Sequence, residues 1–188
     1  MIKMNKLSRT EEKIRDVLIE MIDEMPINAI RVKDLAKRAH IDRSTFYVYY
    51  DSIYDVLQQI EDEYFDGLVA GKRWGDRYLN EPAPETVKNI NYAKRNVNIL
   101  RTLLGPHGDS TFQARMAKIL RQSYQGATRG SPHSDIYYRM IQEFFVGGQQ
   151  NMLRFWVSHI TDISPEEMAI LLHRLFDKLY KCLLDGRP

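Results

Sequence analysis

Between positions 33 and 49 the chain gathers side chains that bond phosphates and base edges: Lys33, Arg43, Ser44, Thr45, Tyr47 and Tyr49. Lysine and arginine offer charge-assisted donors to phosphate, and arginine can also hold guanine through two hydrogen bonds. Serine, threonine and tyrosine hydroxyls serve either partner. Chemistry of this kind is recognition, and it requires the side chains to be held at fixed spacing.

Apolar residues between the polar ones supply that spacing. Leu35, Ala36, Ala39, Ile41, Phe46 and Tyr50 recur as two short helices around a tight turn would need them, with a third helix following at once. Asp42 stands where a carboxylate can cap the second helix. The pattern predicts a helix-turn-helix over 31–57, whose second helix presents its first residues to the major groove. Arg43, Ser44 and Thr45 are then placed to reach base edges, and Lys33, Tyr47 and Tyr49 to position the head on phosphates.

The same string resembles the signature of TetR-type transcriptional regulators, roughly Ile-Ala-x-x-Ala-Gly-Val-Ser-x-Gly-Thr-Leu-Tyr-x-His-Phe-x-Ser-Lys-x-x-Leu. Leu35-Ala36 and Ala39 take the first apolar positions, Ile41-Asp42 takes Val-Ser, and Thr45-Phe46-Tyr47 takes Thr-Leu-Tyr. Tyr49-Tyr50 stands for His-Phe and Ser52 for the serine that caps the next helix. Three positions depart from the pattern. His40 replaces the turn glycine, which asks a non-glycine residue for positive φ. Ser44 replaces a glycine, and Ile53 replaces a lysine that in this family meets a phosphate. The resemblance implies an all-α protein of about nine helices. Residues 1–52 would form the DNA-binding head and 53–188 a helical regulatory and dimerisation body.

Composition agrees with a local patch on an otherwise balanced protein. The 188 residues carry a formal net charge of only +2, so any polyanion site must be concentrated rather than spread over the surface. One cysteine, Cys182, leaves no internal disulfide and fits a reducing compartment. No leader and no bilayer-length apolar run is evident, so the expected location is the cytoplasm, with no membrane partner.

Along the chain, residues 1–9 read as a basic arm or as an ordinary solvated terminus. Ser8 with Glu11 opens a helix whose apolar face runs from Ile14 to Met25, and Pro26 ends it. Ser52 with Asp55 opens another, which in TetR-like proteins links head to body. Residues 71–84 read as a loop in which Trp74, Tyr78 and Leu79 are buried. Helical pattern returns from Glu85 through Leu104, stops at Gly105-Pro106-His107-Gly108, and resumes near Ser110. Residues 126–133 form a second polar break. Two strong helices follow, from about Asp135 to Ser158 and from Ser164-Pro165-Glu166-Glu167 onward.

The resemblance implies that these last helices pair across a two-fold axis. Phe155, Trp156, Leu171, Leu172, Leu175 and Leu179 are the expected dimer contacts, and Gly147-Gly148 the site of a close helix approach, at the interface or inside the body. The segment from Phe145 through Trp156 to Glu167 also resembles a C-terminal type of Firmicutes regulators that includes an activator of dihydroxyacetone utilisation. Tyr64, Tyr92, Phe112, Met116, Tyr137 and Phe144 are candidates for an effector pocket, and such residues serve equally as plain core. No nucleophile elbow, P-loop, dinucleotide fingerprint or metal-spaced histidine pair is present, so no cofactor, metal site or catalytic activity is expected. The expected partners are palindromic duplex DNA, a second copy of the chain, and a small-molecule effector or protein co-regulator. The reading from another class is a helical enzyme or scaffold that uses the helix-turn-helix only for packing.

Overall fold

Side-chain caps set where the helices begin. The computed structural model describes residues 7–68, 82, 84–124, 135–159 and 162–184, with the side chains of 123, 124, 135, 137, 138 and 179–184 outside that description. Residues 1–6 of the basic arm, the expected burial of Trp74, Tyr78 and Leu79, and the 126–133 break fall outside the described residues as well. Among the described residues there are nine α-helices and no strand: α1 (Arg9–Glu24), α2 (Val32–Arg38), α3 (Arg43–Tyr49), α4 (Ile53–Asp66), α5 (Pro84–Arg95), α6 (Val97–Leu103), α7 (Ser110–Tyr124), α8 (Asp135–Ser158) and α9 (Pro165–Leu184). The fold is all-α, as expected.

At α1 the Glu11 backbone donates to Ser8 Oγ at 3.2 Å, and Ser8 N–H donates to Glu11 Oε2 at 2.7 Å. Ser164 and Glu167 repeat this box at α9, with Pro165 as the first helical residue. The Ser164 N–H bond holds the Glu167 carboxyl below the usual carboxylate range. At α4 the Asp55 N–H donates to Ser52 Oγ, while Asp55 accepts from the backbone of Asp51 rather than of Ser52. Pro26 ends α1 through an extended Met25 and starts a single 3-10 turn, Ile27–Ala29.

The chain divides into two compact units. Unit 1 is Met1–Gly67 with Asn98–Asp109, and unit 2 is Leu68–Val97 with Ser110–Pro188. Ile14, Leu18, Ile22, Leu35, Phe46, Val56, Ile60, Leu100, Leu103 and Leu104 are fully buried in unit 1. Polar bonds fix the same packing. Arg15 on α1 grips Glu63 on α4 through two hydrogen bonds of 2.8 and 2.6 Å. The buried Thr102 hydroxyl on α6 donates to Asp23 on α1 at 2.7 Å. Beyond α6, a Cβ at Gly108 would lie 2.1 Å from the Leu103 carbonyl oxygen, so only glycine fits that turn.

Unit 2 packs α5 on α9 and α7 on α8. Ala117, Val146 and Phe176 form a buried cluster flanked by Leu120 and Phe145, with the Phe145 and Phe176 rings 5.1 Å apart. Arg121 holds Glu143 by a two-pronged contact of 2.6 and 2.7 Å. The pattern from Glu85 to Leu104 is broken at Asn96, whose side-chain amide donates to the Tyr92 carbonyl at 2.9 Å. A side chain that competes with the backbone in this way ends a helix without any interruption of the apolar period.

Tyr50 makes a testable exception to good packing in unit 1. It is 4 % exposed, its hydroxyl oxygen meets no hydrogen-bonding group among the described residues, and burial pushes its pKa up to about 12. Tyr50→Phe removes an unsatisfied buried oxygen and should stabilise the fold by about 1–3 kcal/mol. The raised value means that the folded state keeps this proton longer than the unfolded chain does. Its contribution is present below pH ~10 and lost as pH climbs toward 12. Thermal melts at pH 7 and pH 11 should show a higher midpoint for the variant, with the gap widening at pH 11.

Candidate nucleic-acid interface

The turn between α2 and α3 sets how α3 is presented. Ala39 closes α2 in right-handed conformation, His40 adopts φ 52°, and Ile41 N–H returns to the Ala36 carbonyl at 3.0 Å while His40 N–H reaches the Lys37 carbonyl at 3.1 Å. These two bonds are a Schellman closure, with histidine in the position that glycine usually takes. The positive φ expected at His40 is therefore present.

From that turn α3 runs for seven residues with one buried side chain, Phe46, at 0 % exposure. Phe46 meets the Tyr47 ring edge-on at 5.5 Å and the Tyr50 ring at 6.0 Å. Arg43, Ser44, Tyr47 and Tyr49 are exposed, Thr45 is half-buried, and Lys33 is exposed on α2. The six recognition candidates thus lie on two consecutive helices of unit 1. Asp42 is the N-cap residue by backbone conformation, but its exposed carboxylate makes no cap bond, contrary to expectation. The Asp42 carbonyl accepts from Phe46 N–H at 3.2 Å and so begins the helix without help from the side chain. Ile53, at the position of the missing lysine, is buried, and Tyr54 beside it is exposed.

Five lysines and arginines lie between Arg31 and Tyr50 (31, 33, 37, 38 and 43) against two aspartates (34 and 42). The excess of three positive charges in this stretch exceeds that of the whole chain, +2, so positive charge is concentrated here along the sequence. Arg38 is committed elsewhere: it bonds Glu24 at 2.7 Å and Glu20 at 3.3 Å, tying α2 to α1 and holding the Glu24 carboxyl below its ordinary range.

Unit 2 carries the other expected contacts. Phe155 is 62 % exposed and stacks on His159 at 4.0 Å, and Leu171 and Leu175 are each 41 % exposed. Leu172 is half-buried, and the Leu179 side chain lies outside the described residues. Trp156 does not share the outward face: it is 1 % exposed and its indole N–H donates to the Ile163 carbonyl at 2.9 Å, so it belongs to the core of its own unit. Among the described residues, a Cβ at Gly147 or Gly148 would meet nothing within 4 Å.

The pocket candidates fall in both units. Tyr64 is buried in unit 1; Phe112 and Met116 are buried one turn apart on α7; Tyr92 on α5 is half-buried under the Arg95 guanidinium, 5.7 Å from its ring. Phe144 is 67 % exposed, because it lies on the outer row of α8 with Ile136 and Met140, and the Tyr137 side chain lies outside the described residues. The i, i+4 spacing of Ile136, Met140 and Phe144 was the signal for that row, and it was not drawn from the sequence. Val48 and Tyr54 were likewise missed; no spacing signal distinguishes them from ordinary surface residues.

Comparison with known proteins decides the family. The family model that matches, described as the transcriptional regulator C-terminal region of TetR type, covers residues 80–178. The chain belongs to the TetR family. Solved structures of similar fold include a TetR transcriptional regulator from Streptococcus agalactiae, at 21 % identity and TM-score 0.61, over 89 % of this chain and 93 % of that one. The dihydroxyacetone kinase operon activator DhaS aligns at 14 % identity and TM-score 0.52, over 94 % and 97 % of the two chains. The fatty acid degradation regulator FadR from Bacillus halodurans aligns at 16 % identity and TM-score 0.52, over 97 % and 98 %. No curated protein matches. As a TetR-family chain this protein is a transcriptional regulator rather than an enzyme, and α2 and α3 with the turn between them have helix-turn-helix geometry. No described helix is long and apolar enough to cross a membrane.

Proposed function

We propose that the protein is a homodimeric, sequence-specific repressor that binds a palindromic duplex and is released by a small-molecule effector in the cytoplasm. Residues 1–52 would read DNA, and 53–188 would dimerise and take the effector. The observation that carries the reading is α3: one side chain, Phe46, anchors the helix, and Arg43, Ser44, Tyr47 and Tyr49 are exposed around it. Dimerisation is supported by Phe155, Leu171 and Leu175, which no monomer core requires to be apolar and exposed. The Gly147-Gly148 surface, open among the described residues, suits a partner helix. For release, Phe112, Met116 and Tyr92 are the pocket side chains we assign. The Thr102–Asp23 bond would pass any movement of α6 to α1.

Selection of bound sites from random duplex tests the first half. The expected result is a palindrome with half-sites about one helical turn apart, or slightly more, and an affinity whose logarithm falls with log salt by roughly 0.9 per phosphate contact. Equal affinity for all sequences, or insensitivity to salt, would contradict it. A second reading has its own support in Ile136, Met140 and Phe144, each 59–67 % exposed on α8. A protein co-regulator seated there would make the chain an activator or repressor without an effector pocket. Hydrogen exchange on the dimer separates the two, because protection of that row by dimerisation alone leaves no platform for a co-regulator.

A further inference from the structure

Val48 is 75 % exposed, the most exposed large apolar side chain among the described residues. Among the described residues of unit 1 the exposed large apolar ones are Tyr47, Val48, Tyr49 and Tyr54, all within residues 47–54, where α3 ends and α4 begins. A β-branched residue is a weak helix former, and solvent gives it nothing, so neither propensity nor burial accounts for valine there. Its position is informative. Val48 follows Phe46 by two residues, about 200° around the helix at ~100° per residue. With Phe46 facing inward at 0 % exposure, Val48 lies on the opposite, outward side of α3. Ser44, also exposed, is one turn earlier on the same side.

A helix lying in the major groove turns that outward side to the base edges. These edges carry hydrogen-bond donors and acceptors, which a valine can only desolvate, and one prominent apolar group, the C5 methyl of thymine. We propose that Val48 is a specificity-determining residue that packs on a thymine methyl in each half-site, beside polar contacts made by Ser44 and Arg43. The inference rests on the reading of α3 as the DNA-reading helix, and it assigns that helix an apolar contact to one kind of base.

The test exchanges a single methyl group. From the duplex selected by the full-length protein, each thymine of a half-site, together with its symmetry mate, is replaced by uracil, which pairs identically and lacks the C5 methyl. Binding is measured for wild type and for Val48→Ala, after melting curves show that the exposed substitution leaves the fold intact. One symmetric thymine pair should matter: its replacement should weaken wild type by about fourfold per half-site, the value of one buried methyl-sized group. Val48→Ala should bind the thymine duplex more weakly and be indifferent to uracil at that pair. If no thymine is sensitive, or if Val48→Ala remains as sensitive as wild type, the assignment is wrong even though the protein reads DNA. If selection yields no preferred duplex, the DNA-reading role of α3 falls and takes this inference with it.

Discussion

Phe46→Ala should destabilise the protein by about 3–5 kcal/mol and abolish operator binding at ordinary temperature. Phe46 is the one buried side chain on α3, at 0 % exposure, and it is in ring contact with Tyr47 and Tyr50. A helix of seven residues has too few turns to persist in water without tertiary support. Removing its anchor therefore removes the helix, and with it the fixed spacing of Arg43, Ser44 and Tyr47. Denaturant titration should give a lower midpoint for unit 1, while Ser44→Ala, on the exposed side, should move it by no more than about 0.5 kcal/mol. An unchanged midpoint for Phe46→Ala would mean that α3 is held by something other than this contact.

Leu175→Glu should split the dimer without unfolding the chain. Leu175 is 41 % exposed on α9, with Ile170 at 39 % and Leu171 at 41 %, and Phe155 on α8 at 62 %. In the monomer a glutamate there stays hydrated. In a dimer that covers this face it would be a buried, unpaired charge, at a cost of several kcal/mol. Each 1.4 kcal/mol is a tenfold loss of affinity, so dissociation should strengthen by about a hundredfold or more. Sedimentation at micromolar concentration should then show a folded monomer with a wild-type helical spectrum. Trp156→Ala is the contrasting change: it empties a core position and should lower the melting temperature instead. A Leu175→Glu dimer of undiminished strength would place the interface on another face.

The helix-turn-helix was legible because local rules decide it. Ser8, Ser52 and Ser164 cap as their spacing predicts, and His40 takes the positive φ that the replaced glycine implied. Periodicity was less informative where the answer depends on distant contacts. It marks an apolar face but not what covers that face. Phe155 and Trp156 are neighbours in sequence, yet one is on the surface and the other is bonded to Ile163 in the core. Phe144 has the same pattern as a pocket residue and sits outside. The packing of α6 with α1 through Thr102 and Asp23 joins residues 79 positions apart, which no window of sequence can register. Within the head, the unsatisfied Tyr50 hydroxyl and the outward Val48 are properties of individual environments rather than of any pattern.

Selection of bound DNA by Arg43→Ala, run beside wild type, tests most directly that α3 reads sequence. Arg43 is the first residue of that helix, exposed, and able to hold guanine through two hydrogen bonds. The variant should lose preference at one position of each half-site, at about 1–3 kcal/mol for the original base, with every other position unchanged. Tyr47→Phe, which loses only the hydroxyl proposed to meet phosphate, should weaken all sites alike and keep their ranking. The contrary result is an Arg43→Ala protein that selects the wild-type sequence while Tyr47→Phe selects a different one; α3 would then lie in the groove in another orientation, or not at all.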